Sequence, residues 1–130
     1  MDKPLAFSIG HSNKTLLVFL EKLKEYRIAI LVDVRTYPSS RFSPHFNAMP
    51  LGRALVAENI QYLIRGRNLG GRGVNNNFEG AIRELVRMTR NGVRVCVMCA
   101  EADPRRCHRY TVLEPALWEH GVSICHIAYD

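Results

Sequence analysis

Short apolar runs alternate with amphipathic stretches along the whole of this chain, and few architectures accept that rhythm. The apolar runs are Ala6 to Ile9, Ile28 to Val32, Ile60 to Ile64, Val93 to Met98 and Val122 to Ala128. Ile28 to Val32 is apolar without a break, the pattern of a strand buried on both faces. Between the first two runs, Thr15 to Tyr26 carries Leu16, Phe19, Leu20 and Leu23 at spacings of 3 and 4, which is one face of a helix. Leu51 to Glu58 predicts a short second helix. Phe78 to Arg90 predicts a third, with Ile82, Leu85 and Val86 inward and Asn91-Gly92 as its left-handed stop. Asp103-Pro104 has the chemistry of an N-cap and a first-turn proline, opening a helix that ends before Gly121 and is kinked by Pro115. Thr36 to Pro50 and Arg65 to Asn77 read as loops.

Strands alternating with helices in this way imply an α/β fold: a single domain over residues 1–130, with a mainly parallel sheet of about five strands and helices on both faces. In such sheets ligands bind outside the carboxyl ends of the strands. Polar residues sit just behind each predicted strand: His11 and Ser12, then Asp33 and Arg35, then Arg65, Arg67, Gly70 and Gly71, then Cys99 and Glu101. His126 lies near the end of the last. They should share one rim.

The fourth of these junctions is the densest. Met98 to Arg109 packs two thiols, two carboxylates, three arginines and an imidazole behind the apolar run. Cys99 is the leading candidate for a reactive thiol, since a helix N-terminus favours a thiolate. The bland alternative is a small buried core residue, the reading taken for Cys96 and Cys125. Cys96-Val-Met-Cys99 imitates a redox or zinc pair. On a strand, however, its Cα atoms stand about 10 Å apart with the sulfurs on opposite faces, and a disulfide needs about 7 Å or less.

Cys99 and Arg105 also match the Cys-x5-Arg loop of cysteine phosphatases. Pro104 removes a backbone donor there, and Glu101 and Asp103 would each repel a phosphate charge about 5 Å away by roughly 3 kcal/mol. That reading is rejected unless the carboxylates turn away. A rhodanese-like sulfur-transfer loop stands on analogy alone.

Cys107, His108 and Arg109 follow in the expected helix, where Arg105, His108, Arg109 and Val112 would share a face. His108 is then a candidate acid or base, and Arg109 either an anion contact or a strut to Asp33 or Glu101. His11 is an alternative base or a turn residue. Ser12 is a ligand contact or a helix cap. Arg35 and Arg41 are candidate anion holders, Asp33 a residue that orients a base, and Gly70-Gly71 a place where backbone approaches a ligand. No organic cofactor motif is present. Zinc held by Cys99, Cys107, His108 and His11 or His126 is a minority reading, because adjacent helical residues diverge.

The net charge of +6 comes from 14 Arg and 4 Lys against 12 acidic residues. Arginine's planar fork suits phosphate and carboxylate, but no block of consecutive basic residues forms a nucleic-acid tail. No apolar stretch reaches the roughly 20 residues of a membrane span. Met1-Asp-Lys-Pro4 does not open an export signal, so a cytoplasmic protein with reduced cysteines is expected.

Ile9-Gly-His-Ser-Asn13, Asp33-Val-Arg35 with Pro38 and Ser40-Arg41, Leu69-Gly-Gly71, Met98-Cys-Ala-Glu101, Cys107-His-Arg109, and Gly121 with His126 appear in this order along nearly the whole chain. In these motifs it resembles the bacterial and archaeal domain-of-unknown-function 488 family. The resemblance implies a small α/β domain and a set of polar motifs, and it assigns no substrate, cofactor or catalytic role.

Taken together, these residues favour an enzyme with a thiol-containing polar pocket for an anionic, phosphorylated or nucleotide-like substrate. In that reading Cys99 is the nucleophile, His108 or His11 the base, Glu101 its orienting partner, and Arg35, Arg41 and Arg109 the anion contacts. A non-catalytic module for nucleic acid or nucleotides is the alternative. A thiol redox sensor or sulfur carrier is a third reading, and as a sensor it requires Cys99 and Cys107 within disulfide range.

Overall fold

In the computed structural model, which describes residues 4–129, the five apolar runs become five parallel strands. These are β1 (Leu5–Gly10), β2 (Ile30–Asp33), β3 (Gln61–Ile64), β4 (Val95–Cys99) and β5 (Ser123–His126), in the spatial order β3-β2-β4-β1-β5. The chain steps from β1 through β2 to β3 at one edge, then returns through β4 to β5 at the other. Helices α1 (Leu16–Glu25) and α2 (Ala48–Ala57) serve the outward steps, and α4 (Phe78–Arg90) and α5 (Glu114–Glu119) the return. Right-handed crossovers in opposite directions place these pairs on opposite faces. Two buried clusters match that division. Phe19, Leu23, Leu51 and Leu55 pack with Phe7, Ile9, Leu31 and Met98. Ile82, Leu85, Val86 and Leu117 pack with Val32, Val95 and Val97.

Neighbouring β2 and β4 therefore send their chains to opposite faces, which opens a crevice at their carboxyl ends. Period-two alternation also places Cys96 in one cluster and Cys99 in the other. The Cys-x-x-Cys spacing is thus split by the sheet, as strand geometry requires.

Thr15 caps α1, its Oγ1 accepting from Val18 N at 3.2 Å. Helices α1, α2, α4 and α5 end alike. Arg27, Asn59, Gly92 and Gly121 each take a left-handed φ, between 55° and 79°. The next residue's N–H then reaches back across the last turn: Ile28 to Leu23 O, Ile60 to Leu55 O, Val93 to Met88 O and Val122 to Leu117 O, at 2.9–3.0 Å. This double-bonded cap satisfies carbonyls that a helix end would otherwise leave open.

Three expectations need correction. Helix α2 begins at Ala48 rather than Leu51, with Pro50 in the first turn, where a missing N–H breaks no helix bond. The expected loop after β3 contains a one-turn helix, α3 (Gly66–Leu69). The long helix expected from Asp103 does not form. Asp103 does cap, accepting from Arg105 N at 3.0 Å, but only the 3-10 turn Pro104–Arg106 follows. Cys107 is then extended, with φ −134° and ψ 150°. Arg109–Leu113 is wound as a π-helix, with Glu114 N–H donating to Arg109 O, and α5 starts with Pro115 in its first turn. A proline at 115 has no N–H to give Thr111 O and would crowd it, so the wider turn upstream relieves both conflicts. The common face expected for Arg105, His108, Arg109 and Val112 is consequently absent.

Among the described residues, no helix is long and apolar enough to cross a membrane.

Candidate functional site

Cys99 closes β4, and the turn from Ala100 to Arg106 folds back so that Cys107 meets it. The two Sγ atoms lie 2.6 Å apart, little beyond the roughly 2.05 Å of an S–S bond. Both residues are buried, Cys99 more deeply than Cys107. His108 stands beside Cys107, with Nδ1 3.5 Å from its sulfur and Nε2 donating to Leu69 O at 2.8 Å. A carbonyl can only accept, so that bond fixes the proton on Nε2 and leaves Nδ1 facing the thiol. Gly71 makes room for the ring: a Cβ there would lie 2.9 Å from Nδ1 and 3.1 Å from Cγ. Leu69, at the end of α3, and Gly71 thus form the floor beneath the imidazole.

Either thiol can donate in the contact between them, and Cys107 also meets His108 and the backbone N–H and side chain of Arg109. The Cys107 pKa falls well below the usual thiol range despite burial. Cys99 is pushed up, first by its hydrogen bond with Cys107 and then by desolvation. The contact with His108 Nδ1 favours Cys107 as the sulfur that carries charge, where the sequence pointed to Cys99. Burial is the chief cause that raises Cys96.

These groups open into a cavity of about 420 Å³ at the carboxyl ends of β2 and β4. Cys99, Cys107 and His108 line one side, with Glu101 and Gly71. Arg35, Arg72 and Arg106 are the arginines of its lining. Arg35 is only 5% exposed and Asp33 fully buried. Asp33 accepts from Arg35 Nε at 2.9 Å, Arg35 Nη2 at 2.6 Å and Tyr62 Oη at 2.6 Å. Desolvation pulls the Arg35 pKa down, and the Asp33 bonds more than reverse it. Burial and the same carboxylate raise Tyr62. Among the described residues, Arg72 and Arg106 face no carboxylate within ion-pair distance.

His11 lies behind this wall, 2% exposed and stacked on Phe46 at 4.5 Å. Its Nδ1 donates to Ser12 O at 2.8 Å, which leaves Nε2 to accept from Arg35 Nη1 at 3.4 Å. Burial lowers its pKa below the usual imidazole value. It supports Arg35 and does not line the cavity. Ser12 occupies the left-handed turn after β1, at φ 51°. Gly70 exchanges hydrogen bonds with the Asn75 side chain. Arg41 is exposed, with its guanidinium 5.8 Å from the Phe42 ring centroid. Glu101 Oε1 accepts from Asp103 N at 3.3 Å and does not reach His108. Arg105, the arginine of the phosphatase-like spacing, is exposed and lies outside the cavity lining.

Arg109 is fully buried and also outside the cavity lining. Its Nη2 donates to Glu101 O at 2.7 Å and Ala102 O at 3.3 Å, holding the turn that joins the cysteines. Its Nη1 donates to Ser8 Oγ at 3.0 Å. Ser8 donates to His126 Nδ1, and His126 Nε2 donates to Glu114 Oε1 at 2.9 Å. Four residues thus carry hydrogen bonds in one direction, from a buried cation to a carboxylate.

Ser8, Tyr62 and Glu114 were missed at the level of sequence, as were Thr36, Tyr37 and Ser39, which also line the cavity. One signal was available: a serine inside the apolar run Ala6 to Ile9 must find a partner. Among the described residues, no group of three or more His, Cys, Asp or Glu side chains is arranged to hold a metal ion.

A family model described as "Domain of unknown function DUF488" matches residues 15–76 and 72–115, well over half of the chain, and the chain belongs to that family. Searches of curated proteins and of solved structures returned no match.

Proposed function

We propose that this member of the DUF488 family is a cysteine-dependent enzyme, a transferase or hydrolase, whose Cys107 thiolate attacks a small anionic substrate in the cavity. The observation that carries the reading is the Cys107 environment: a sulfur 2.6 Å from the Cys99 thiol and 3.5 Å from His108 Nδ1, on a cavity whose lining includes three arginines. A nucleophile beside an oriented base is the arrangement that activates thiols in general. His108 takes the Cys107 proton and is placed to return it to a leaving group. Arg72 and Arg106 attract the anion, while Arg35, already neutralised by Asp33, offers directional N–H donors more than net charge. A reducing cytoplasm is the compartment in which such a thiolate would persist.

Alkylation by iodoacetamide, mapped to each cysteine by mass spectrometry between pH 5 and 9, tests this. Below its pKa an ordinary thiol loses about tenfold in rate per pH unit, starting near 8.5. Cys107 should keep its rate well below pH 7, and Cys99 should stay slow. His108→Ala should move the Cys107 profile upward. A Cys107 profile that follows the urea-unfolded chain would refute the proposal.

A second reading draws on Tyr37, which is 69% exposed on the cavity wall, and on the still more open Phe42 beside Arg41. Rings next to arginines suit stacking of nucleotide bases, so the anion would be the phosphate of a nucleotide or nucleic acid. Oligonucleotide affinity that falls steeply with salt would favour that reading, and affinity insensitive to salt would remove it.

A further inference from the structure

The contact between Cys99 and Cys107 bears on which atom the thiolate attacks. A covalent group carried on Cys107 could be acyl, phosphoryl or sulfur. Acyl and phosphoryl groups are released by attack on their own carbon or phosphorus, and a second thiol touching the Cys107 sulfur has no part in that. A sulfur cargo is different, because a mixed disulfide is cleaved by attack on the protein sulfur itself. Cys99 Sγ lies 2.6 Å from that atom, and nothing separates the two.

We infer, resting on the nucleophilic role proposed for Cys107, that the substrate is a low-molecular-weight disulfide bearing negative charge, reduced by Cys107 and Cys99 as a dithiol pair. Cys107 attacks one sulfur of R–S–S–R, the substrate S–S bond breaks, and the first RS⁻ departs with a proton from His108. Cys99 then loses its proton to His108 and attacks Cys107 Sγ. The Cys107–S–R bond breaks, the second RS⁻ leaves and takes that proton, and a Cys99–Cys107 disulfide remains. The substrate has gained two electrons and the pair has lost two. A thiol reductant restores the dithiol, and dithiothreitol serves in that role in the assay.

Three further features agree with this assignment. Cys107 is the less buried of the pair, so the attacking sulfur is the one nearer the solvent. The turn between the cysteines is held at Glu101 O and Ala102 O by Arg109, so the pair approaches without rearrangement. Arg72 and Arg106 in the cavity lining bring positive charge that suits carboxylates on the substrate.

The test uses the full chain carrying Cys125→Ser, which removes the half-buried thiol outside the cavity and leaves Cys96 shielded. The probe is 5,5′-dithiobis(2-nitrobenzoate), an anionic disulfide. Two thionitrobenzoates should be released per chain, with no adduct retained and a Cys99–Cys107 crosslinked peptide recovered. Adding Cys99→Ser should halve the release and leave thionitrobenzoate attached to Cys107. With aliphatic probes, 3,3′-dithiodipropionate should outpace cystamine by tenfold or more once each rate is divided by that of the urea-unfolded chain.

An adduct that persists on Cys107 while Cys99 is intact overturns the dithiol inference. If Cys107 still alkylates rapidly in that case, the nucleophile stands and only the sulfur substrate falls. If Cys107 is slow towards iodoacetamide as well, both fall together. A normalised rate for cystamine equal to or above that for the dianion overturns the anionic assignment.

Discussion

Asp33→Asn should cost this fold more than any other single-atom exchange at the site. The carboxylate is fully buried and accepts from Arg35 N, Nε and Nη2 and from Tyr62 Oη. An amide keeps the shape but removes the charge and turns one acceptor into a donor facing other donors. Arg35, 5% exposed, is then a cation without a counter-charge. Removing one partner of a buried pair costs about 3–5 kcal/mol, a large share of the roughly 5–15 kcal/mol that holds a domain together. With 130 residues the unfolding entropy is about 0.27 kcal/mol/K, so Tm should fall by about 11–18 °C. Urea denaturation should show a lower midpoint at unchanged slope. Sulfate should restore more stability to the variant than to the parent, because Arg35 then offers an anion its whole charge. Replacing the group together, Asp33→Leu with Arg35→Met and Tyr62→Phe, should lose less than Asp33→Asn alone. A loss below about 1 kcal/mol for Asp33→Asn would mean that water already solvates Arg35, and the pairing argument would fail.

Two smaller changes probe other parts of the construction. Gly71→Ala places a methyl against His108 Nδ1, whose ring is already held from the far side by Leu69 O. The pH at which Cys107 alkylation falls off should rise by about one unit, the loss of one charge-assisted hydrogen bond of about 1.5 kcal/mol, and an unmoved profile would show that His108 does not act on the thiol. Arg27→Gly removes a side chain from a left-handed residue, at φ 55°, and should stabilise the chain by about 0.5–1 kcal/mol in urea. A destabilised variant would refute the strain assigned to that cap.

Elements whose stability is local were legible in the sequence. Phe78 to Arg90 was readable at both ends, from its apolar period and from Asn91-Gly92. The strands were readable because each apolar run is too short for a helix and too apolar for a loop. The position of the site followed from one rule about parallel sheets, and the chemistry behind β4 lies where that rule puts it. What was not legible depends on contacts between distant residues. Which cysteine carries the charge is decided by the donors around each sulfur, and these meet only after Cys107 adopts an extended backbone between two irregular turns. His108 is oriented by a carbonyl 39 residues away. Ser8 and His126 are 118 residues apart, and no local pattern pairs them. The segment from Asp103 to His120 has the composition of one helix, and Pro115 spoils it by an amount that only the surrounding fold decides.

The repeated helix cap has a practical consequence. All four left-handed stops sit where a helix hands over to the next strand, at the amino ends of β2, β3, β4 and β5. The molecule therefore has two poles, one of brief, tightly tied reversals and one of longer segments that carry Cys107, His108 and the arginines of the cavity lining. At Gly92 and Gly121 an added Cβ would meet no atom within 4 Å. A tether, fluorophore or fusion partner attached beside these turns would hold the protein by its inert pole. The cavity would then face the solution, and a captured ligand could be identified while the protein stays immobilised.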